Sequence, residues 1–267
     1  MIKRMWPLLL ICLVAWSAGA AERVLALTPH ACEMIYAIGA EDKLVGAGSY
    51  CDYPAEAKKL PRVGSHERIN LEAALRLHPD LVIVMSRNVA GVDQLEKMGI
   101  TVVVSNPQSF ESIFSDILTL GELTDHTPAA ESVVKLLQRR LQKVRSSRGV
   151  EIPVFYEVWQ DPIITAGGSS FITTLIREAG GRNVFTGIDL AAPHISVESV
   201  VRAKPEVIVL PSEGRDFEER KEFWEAWFGK GKVRIVIMDP DLLHRPGPRL
   251  MDGLELLQRT LYQKGSP

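Results

Sequence analysis

After Arg23 the chain alternates between two hydrophobic rhythms. Short continuous runs rich in Val, Ile and Leu read as strands covered on both faces: "RVLALT" from Arg23, "LVGAGS" from Leu44, "LVIVM" from Leu81 and "TVVVS" from Thr101. Between and after them lie "ACEMIYAIG" from Ala31, "NLEAALRLH" from Asn70, "VDQLEKMG" from Val92 and "FESIFSDILTLGEL" from Phe110, whose apolar residues recur at helical spacing. Buried strands alternating with helices predict an α/β lobe around a mainly parallel sheet.

The rhythm breaks over residues 127–148. There "TPAAESVVKLLQRRLQKVRSSR" is one amphipathic segment, with Ala130, Val133, Val134, Leu137, Leu141 and Val144 on one stripe and Arg139, Arg140 and Lys143 away from it. Pro128 suits a first helical turn, and Gly149 with Pro153 ends the helix. Such a helix runs about 30 Å, roughly the span of a small domain, and is long enough to bridge two lobes. Beyond it the alternation restarts with "PVFYEV", "IITAG", the helical "SSFITTLIREAGG", "VESVVRAK", "EVIVL", "VRIVIMD" and a last helix after Pro248. The expected fold is α/β: two lobes with mainly parallel sheets, joined by one long backbone helix, with a ligand cleft between them. The expected boundaries are a leader over 1–20, an N-terminal lobe over 21–124, the linking helix over 125–149 and a C-terminal lobe over 150–267.

The two lobes share a passage. "INLEAALRLHPDLVIV" from Ile69 returns 126 positions later as "ISVESVVRAKPEVIVL", with Ile69/Ile195, Glu72/Glu198, Arg76/Arg202 and Pro79/Pro205 identical. Asn70 and Ser196 are good N-caps, which puts Glu72 and Glu198 in the first turn of each helix. A carboxylate there is favoured by about 0.3–1 kcal/mol through the helix dipole alone. The pairing suggests more: two carboxylates in corresponding places on pseudo-symmetric lobes form a two-point surface for a partner that is itself two-fold symmetric.

Composition narrows the function classes. Of 267 residues 46% are hydrophobic, and 31 basic against 33 acidic residues leave a net charge of −2. Full-sized cores are affordable, and a surface built for nucleic acid or an anionic membrane is not indicated. Lys3 and Arg4, an apolar run over 7–16, then Ala18, Gly19 and Ala20 read as an export leader cleaved after Ala20. The apolar run is shorter than the roughly 20 residues of a spanning helix. Cleavage removes Cys12 and leaves Cys32 and Cys51 in an oxidising compartment. Two states are open to that pair, a disulfide or two unpaired thiols.

Ligands of two-lobed α/β proteins lie where strand ends face each other. The segments at those ends carry Tyr50, Tyr53, Trp159, His30, His66, His194, His244 and Arg245, and flat aromatic faces with a few polar groups suit a broad planar ring. No H-x-x-x-H or C-x-x-C spacing indicates a direct metal site, and none is expected. An enzyme would cast Cys51 as nucleophile, His66 as base and Asp52 as orienter. No nucleophile signature surrounds them and no phosphate-binding loop follows a strand, so no catalytic residue is expected.

From Arg23 to about Leu261 the chain resembles the bacterial periplasmic substrate-binding proteins whose two α/β lobes are joined by one rigid helix, and within them the corrinoid-binding branch of the ABC-type importers. The carrying motifs are "RVLALTP", "GAGSYCDYPAEAKKLPRVG", "NLEAALRLHPDLVIV", "EAGGRNVF", "VESVVRAKPEVIVL" and "DLLHRPGPR". The strand openings and the L-E…P-D-L-V-I passage are shared with siderophore and haem binders, whereas S-Y-x-D-Y-P is more particular to the cobalamin branch. The resemblance implies a periplasmic monomer, without a cofactor of its own, that captures cobalamin or a related corrinoid and delivers it to the dimeric membrane permease of an importer. It implies Tyr50 stacking on the corrin, with Asp241, Leu242, Leu243, His244 and Arg245 closing over the other side. It also implies that Glu72 and Glu198 dock onto arginines of the two membrane subunits. His66 and Trp159 join the cleft candidates by residue type and position; His66 and the Ala191, Ala192 pair stand where the family pattern has rim tryptophans. Haem, for which Tyr and His are common ligands, is the competing cargo, and a ferric siderophore a further one.

Overall fold

The computed structural model describes residues 19–211 and 217–263. Residues 1–18 of the expected leader, Cys12 among them, lie outside the described residues, as do 264–267. Strands β1 (Val24–Ala26), β2 (Leu44–Ala47), β3 (Leu81–Val84) and β4 (Thr101–Val104) form a parallel sheet in the order β2-β1-β3-β4. Helices α1 (Pro29–Ala37), α2 (Leu71–Arg76), α3 (Val92–Lys97) and α4 (Phe110–Leu123) alternate with the strands. Every residue of the inner strand β3 is buried, which is why that run carries no polar alternation.

Helix α5 (Thr127–Ser146) comes next, with Pro128 in its first turn and Ala130, Val134, Leu137, Leu141 and Val144 buried along one stripe. The second sheet follows. It contains β5 (Ile152–Gln160), β6 (Ile163–Thr165), β7 (Gly181–Asn183), β8 (Val207–Pro211) and β9 (Arg234–Met238), with β5 central, parallel to β7 and β8 and antiparallel to β6. Its helices are α6 (Phe171–Glu178), α7 (Val197–Ala203), α8 (Phe217–Phe228), α9 (Pro240–Leu243) and α10 (Leu250–Tyr262). α5 packs on α4 on one side and on α10 on the other. One apolar cluster consequently runs from Met34 and Ile113 through Leu137 and Leu141 to Leu175, Leu254 and Leu257. Burying each such side chain is worth about 1.5–3 kcal/mol, so the two sheets are joined by a core as well as by a covalent link. Among the described residues no helix is long and apolar enough to cross a membrane.

The shared passage is repeated in three dimensions with its offset intact. Helices begin at Leu71 and Val197 and strands at Leu81 and Val207. The N-caps Asn70 and Ser196 accept from the backbone of Ala73 and Ser199 respectively. His78 and Lys204, each just before the shared proline, both take left-handed backbone conformations, φ 45° and 49°.

Apolar spacing does not predict α8, because Trp224 is its one fully buried side chain among those described. That helix is anchored by polar and aromatic contacts instead of a stripe. Arg220 pairs bidentately with buried Glu157 at 2.6 and 2.7 Å, the Trp224 indole N–H donates to the same carboxylate at 2.8 Å, and the indole meets Phe155 edge-on.

Gly253 of α10 faces α9 so closely that a Cβ there would stand 2.3 Å from the Leu242 carbonyl oxygen. Gly253→Ala is expected to lower stability in urea unfolding by about 1–3 kcal/mol through overpacking. Gly187→Ala, where a Cβ meets nothing within 4 Å, is the control, with an expected change within about 0.5 kcal/mol.

Candidate functional site

The segments that follow the strands of the two sheets meet. Arg249, at the head of α10, reaches across to Glu33 on α1, with Nε 3.0 Å from Oε2 and Nη2 2.6 Å from Oε1, and its guanidinium lies 3.7 Å over the Tyr53 ring. Arg245 pairs with Asp52 of the first lobe and, at 2.8 Å, with Asp241 of its own, and comes within 3.7 Å of Glu33. Burial pushes the Glu33 carboxyl above its usual range, against the pull of Arg249 and Arg245. The Arg245 guanidinium holds Asp52 below that range. These five charged groups form the floor of the cleft between the lobes.

The walls rise on either side of that floor. Ser49 donates both its backbone N–H and its hydroxyl to the Gly64 carbonyl, each at 2.9 Å, which fixes residues 49–54 against the turn bearing His66. Gly64 makes the turn possible: its φ is 143°, and a Cβ would sit 2.3 Å from the Arg68 oxygen. Tyr50, 59% exposed, and His66 lie with ring centroids 6.0 Å apart. In the other lobe, β5 turns back into β6 through a register shift between Glu157 and Trp159, the kind of irregularity that re-aims a side chain. Trp159 is 61% exposed, and its indole N–H is held by the Asp161 carbonyl at 2.9 Å. It borders a cavity of about 230 Å³ with Glu157, Leu210 and Arg220, below the roughly 300–1,000 Å³ of ordinary ligand pockets. A large flat ligand would therefore lie in the open cleft and not in that cavity.

Two sequence expectations are corrected. Leu243 is 1% exposed and packs in the core, so its side chain is not presented to the cleft. His30 is likewise buried, with Nε2 against the Ser105 carbonyl at 3.0 Å, the Ser105 hydroxyl at 3.1 Å and the Thr28 hydroxyl at 3.3 Å. His244 has one nitrogen engaged, its Nε2 lying 2.8 Å from the Tyr156 hydroxyl, and burial lowers its pKa. Asp241 and Leu242 are half-buried beside it, while His194 is exposed. Glu33 and Arg249 escaped the sequence reading altogether. Their partnership spans 216 positions, and nothing local to either residue announces it.

Glu72 and Glu198 are both exposed in the first turns of α2 and α7. Glu72 pairs with Arg76 at 2.5 Å. The backbone N–H of Glu198 itself and the Ser196 side chain draw the Glu198 pKa down, with Arg202 adding to the effect. Cys32 and Cys51 are buried and unbridged. Among the described residues no group of three or more His, Cys, Asp and Glu side chains is arranged to hold a metal ion.

An open cleft between two α/β sheets, with exposed aromatic rings above an ion-paired floor, defines a protein built to hold a ligand between lobes. The chain belongs to the periplasmic binding protein family, which it matches over residues 24–226. It is 31% identical to a vitamin B12-binding protein of Yersinia pestis (strain Pestoides F) over 270 residues, covering 100% of this chain and 95% of the relative. Among solved structures, the periplasmic vitamin B12 binding protein BtuF of Vibrio cholerae superposes with a TM-score of 0.79 at 29% identity, covering 90% of this chain and 96% of that one. The periplasmic heme-binding protein BhuT, solved with two hemes, gives 0.77 at 25% identity over 91% of this chain and 98% of its own.

His30 yields a pH prediction. Burial lowers its pKa from 6.5 to about 4, with the Ser105 carbonyl pulling the other way. The unfolded chain takes up this proton first, so stability falls as the pH drops through that interval, by about 2–3 kcal/mol between about pH 7 and about pH 4.5. Denaturant unfolding at both pH values is expected to show that much more loss for the wild type than for His30→Asn. Asp116, which accepts from the Ser105 hydroxyl at 2.6 Å and is pushed up by burial, is common to both proteins and drops out of the comparison.

Proposed function

We propose that the chain is an exported, soluble binding protein that takes cobalamin or a related corrinoid into the interlobe cleft and delivers it to an inner-membrane ABC importer. The observation that carries this reading is the pair of exposed rings, Tyr50 and Trp159, on opposite lobes at facing strand ends. Such rings suit the two faces of a broad macrocycle, and the half-buried Asp241, Leu242 and Arg245 with the exposed His244 supply groups for its amide fringe. Similarity to vitamin B12-binding relatives along the whole chain supports the same cargo.

The mechanism is physical. The ligand is enclosed by two walls, no bond in it is broken, and the protein contributes neither a catalytic group nor a cofactor. The core shared by α4, α5 and α10 keeps the hinge motion small. The loaded monomer then meets a permease of two membrane subunits through Glu72 and Glu198, whose exposure lets them act over distance and set register more than affinity. The leader over residues 1–20 directs export and is removed after Ala20. Haem is the second reading, and the adjacency of Tyr50 and His66 favours it, since both residue types ligate haem iron.

Parallel titrations of the mature protein with cyanocobalamin, aquocobalamin and haemin, read by calorimetry and absorbance, decide between the cargoes. One-to-one cobalamin binding is expected, weakened at least about tenfold (about 1.4 kcal/mol) by Tyr50→Ala or by Trp159→Ala. A haem Soret shift without cobalamin heat would transfer the site to haem. For docking, the double reversal Glu72→Lys with Glu198→Lys is expected to leave cobalamin affinity within about twofold of wild type, because exposed rim charges act on association with their own partner. It should abolish stimulation of transport in vesicles carrying the permease; normal transport would refute the docking role.

A further inference from the structure

Cys32 and Cys51 take no part in the cleft, yet their placement is specific. Cys32 lies early in α1, and its backbone N–H donates to the Thr28 carbonyl at 3.2 Å. Cys51 sends its Sγ to that same carbonyl at 3.4 Å and to the Ala26 carbonyl at 3.3 Å. The two residues thus converge on the Thr28 carbonyl, and both are 0% exposed. Residues 50–53 splay around this point. Tyr50 is exposed, Asp52 goes to Arg245 and Tyr53 lies under Arg249, while Cys51 alone of the four is buried. Cys51 is therefore the inward anchor of the segment that presents Tyr50.

We infer that Cys32 and Cys51 are oxidised to a disulfide in the exported protein, and that this bond fastens the Tyr50 segment to α1. The inference rests on the export reading given above, since a reducing compartment would keep both thiols free. The oxidant is a protein disulfide of the export compartment. One thiolate attacks a sulfur of that disulfide and releases its first thiol; the second cysteine, losing its proton, attacks the mixed disulfide and releases the other. Two thiols and one disulfide become one disulfide and two thiols, with two electrons passing to the oxidant. Because neither sulfur is open to solvent in the folded chain, the exchange precedes final closure of the core.

The test is the intact mass of protein purified from the periplasm, denatured in a maleimide without reductant. The expected result is a chain beginning at Ala21 that takes no label and is two hydrogens lighter than its reduced form, and that takes two labels after reduction. Two labels without reductant on a chain beginning at Ala21 would overturn the bond while leaving export intact. A chain still beginning at Met1 would overturn the export reading and the setting for the bond together. As a second readout, reductant is expected to lower the melting midpoint of the wild type by several degrees and its cobalamin affinity several-fold, and to leave the double variant Cys32→Ser, Cys51→Ser unmoved. A wild type indifferent to reductant would overturn the role assigned to the bond.

Discussion

The Glu33 carboxylate has almost no access to water, and the geometry of the cleft depends on how it is neutralised. Its bidentate partner, Arg249, and its more distant one, Arg245, both come from the other lobe. Breaking such a pair on one side leaves an uncompensated buried charge, typically at about 3–5 kcal/mol, so the two lobes are committed to each other at this point. Arg245 extends the same network to Asp52, two residues from Tyr50, and to Asp241 in the segment before it. The aromatic wall of one lobe and the polar segment of the other thus share one set of ion pairs.

A second constraint acts from behind the cleft. α5 is packed along both lobes, and its stripe belongs to the same cluster as the side chains of α4 and α10. Prising the lobes apart on that side would expose core leucines, so the structure favours small adjustments of the cleft over wide opening. For the binding role proposed above such rigidity is useful, because it holds the two helix starts bearing Glu72 and Glu198 in a fixed relation.

The architecture was largely legible in the sequence because burial on both faces of a parallel strand leaves an unbroken apolar run, and because α5 carries a clean stripe. The repeated passage was legible almost residue by residue, down to the caps at Asn70 and Ser196. What stayed hidden was what depends on partners far away in the chain. α8 is held by Glu157 through Arg220 and Trp224 and has no stripe to read. His30 and Leu243 sit among residues named correctly as strand-end segments, but one side chain turns inward to Ser105 and the other into the core, and no local pattern distinguishes a loop residue that faces the cleft from one that faces away. Tyr50 and Trp159 stand out in the sequence as candidates because flat aromatic rings in strand-end segments suit a broad planar ligand.

The central claim is that a metal-bearing macrocycle lies between Tyr50 and Trp159. Anomalous diffraction at the cobalt edge, on crystals of the mature protein grown with cyanocobalamin, locates the metal directly. A single cobalt peak in the cleft, with the corrin density between those two rings and above Arg245, is the predicted result. A cobalt peak outside the cleft, or a cleft that stays empty at saturating cobalamin, would contradict the account.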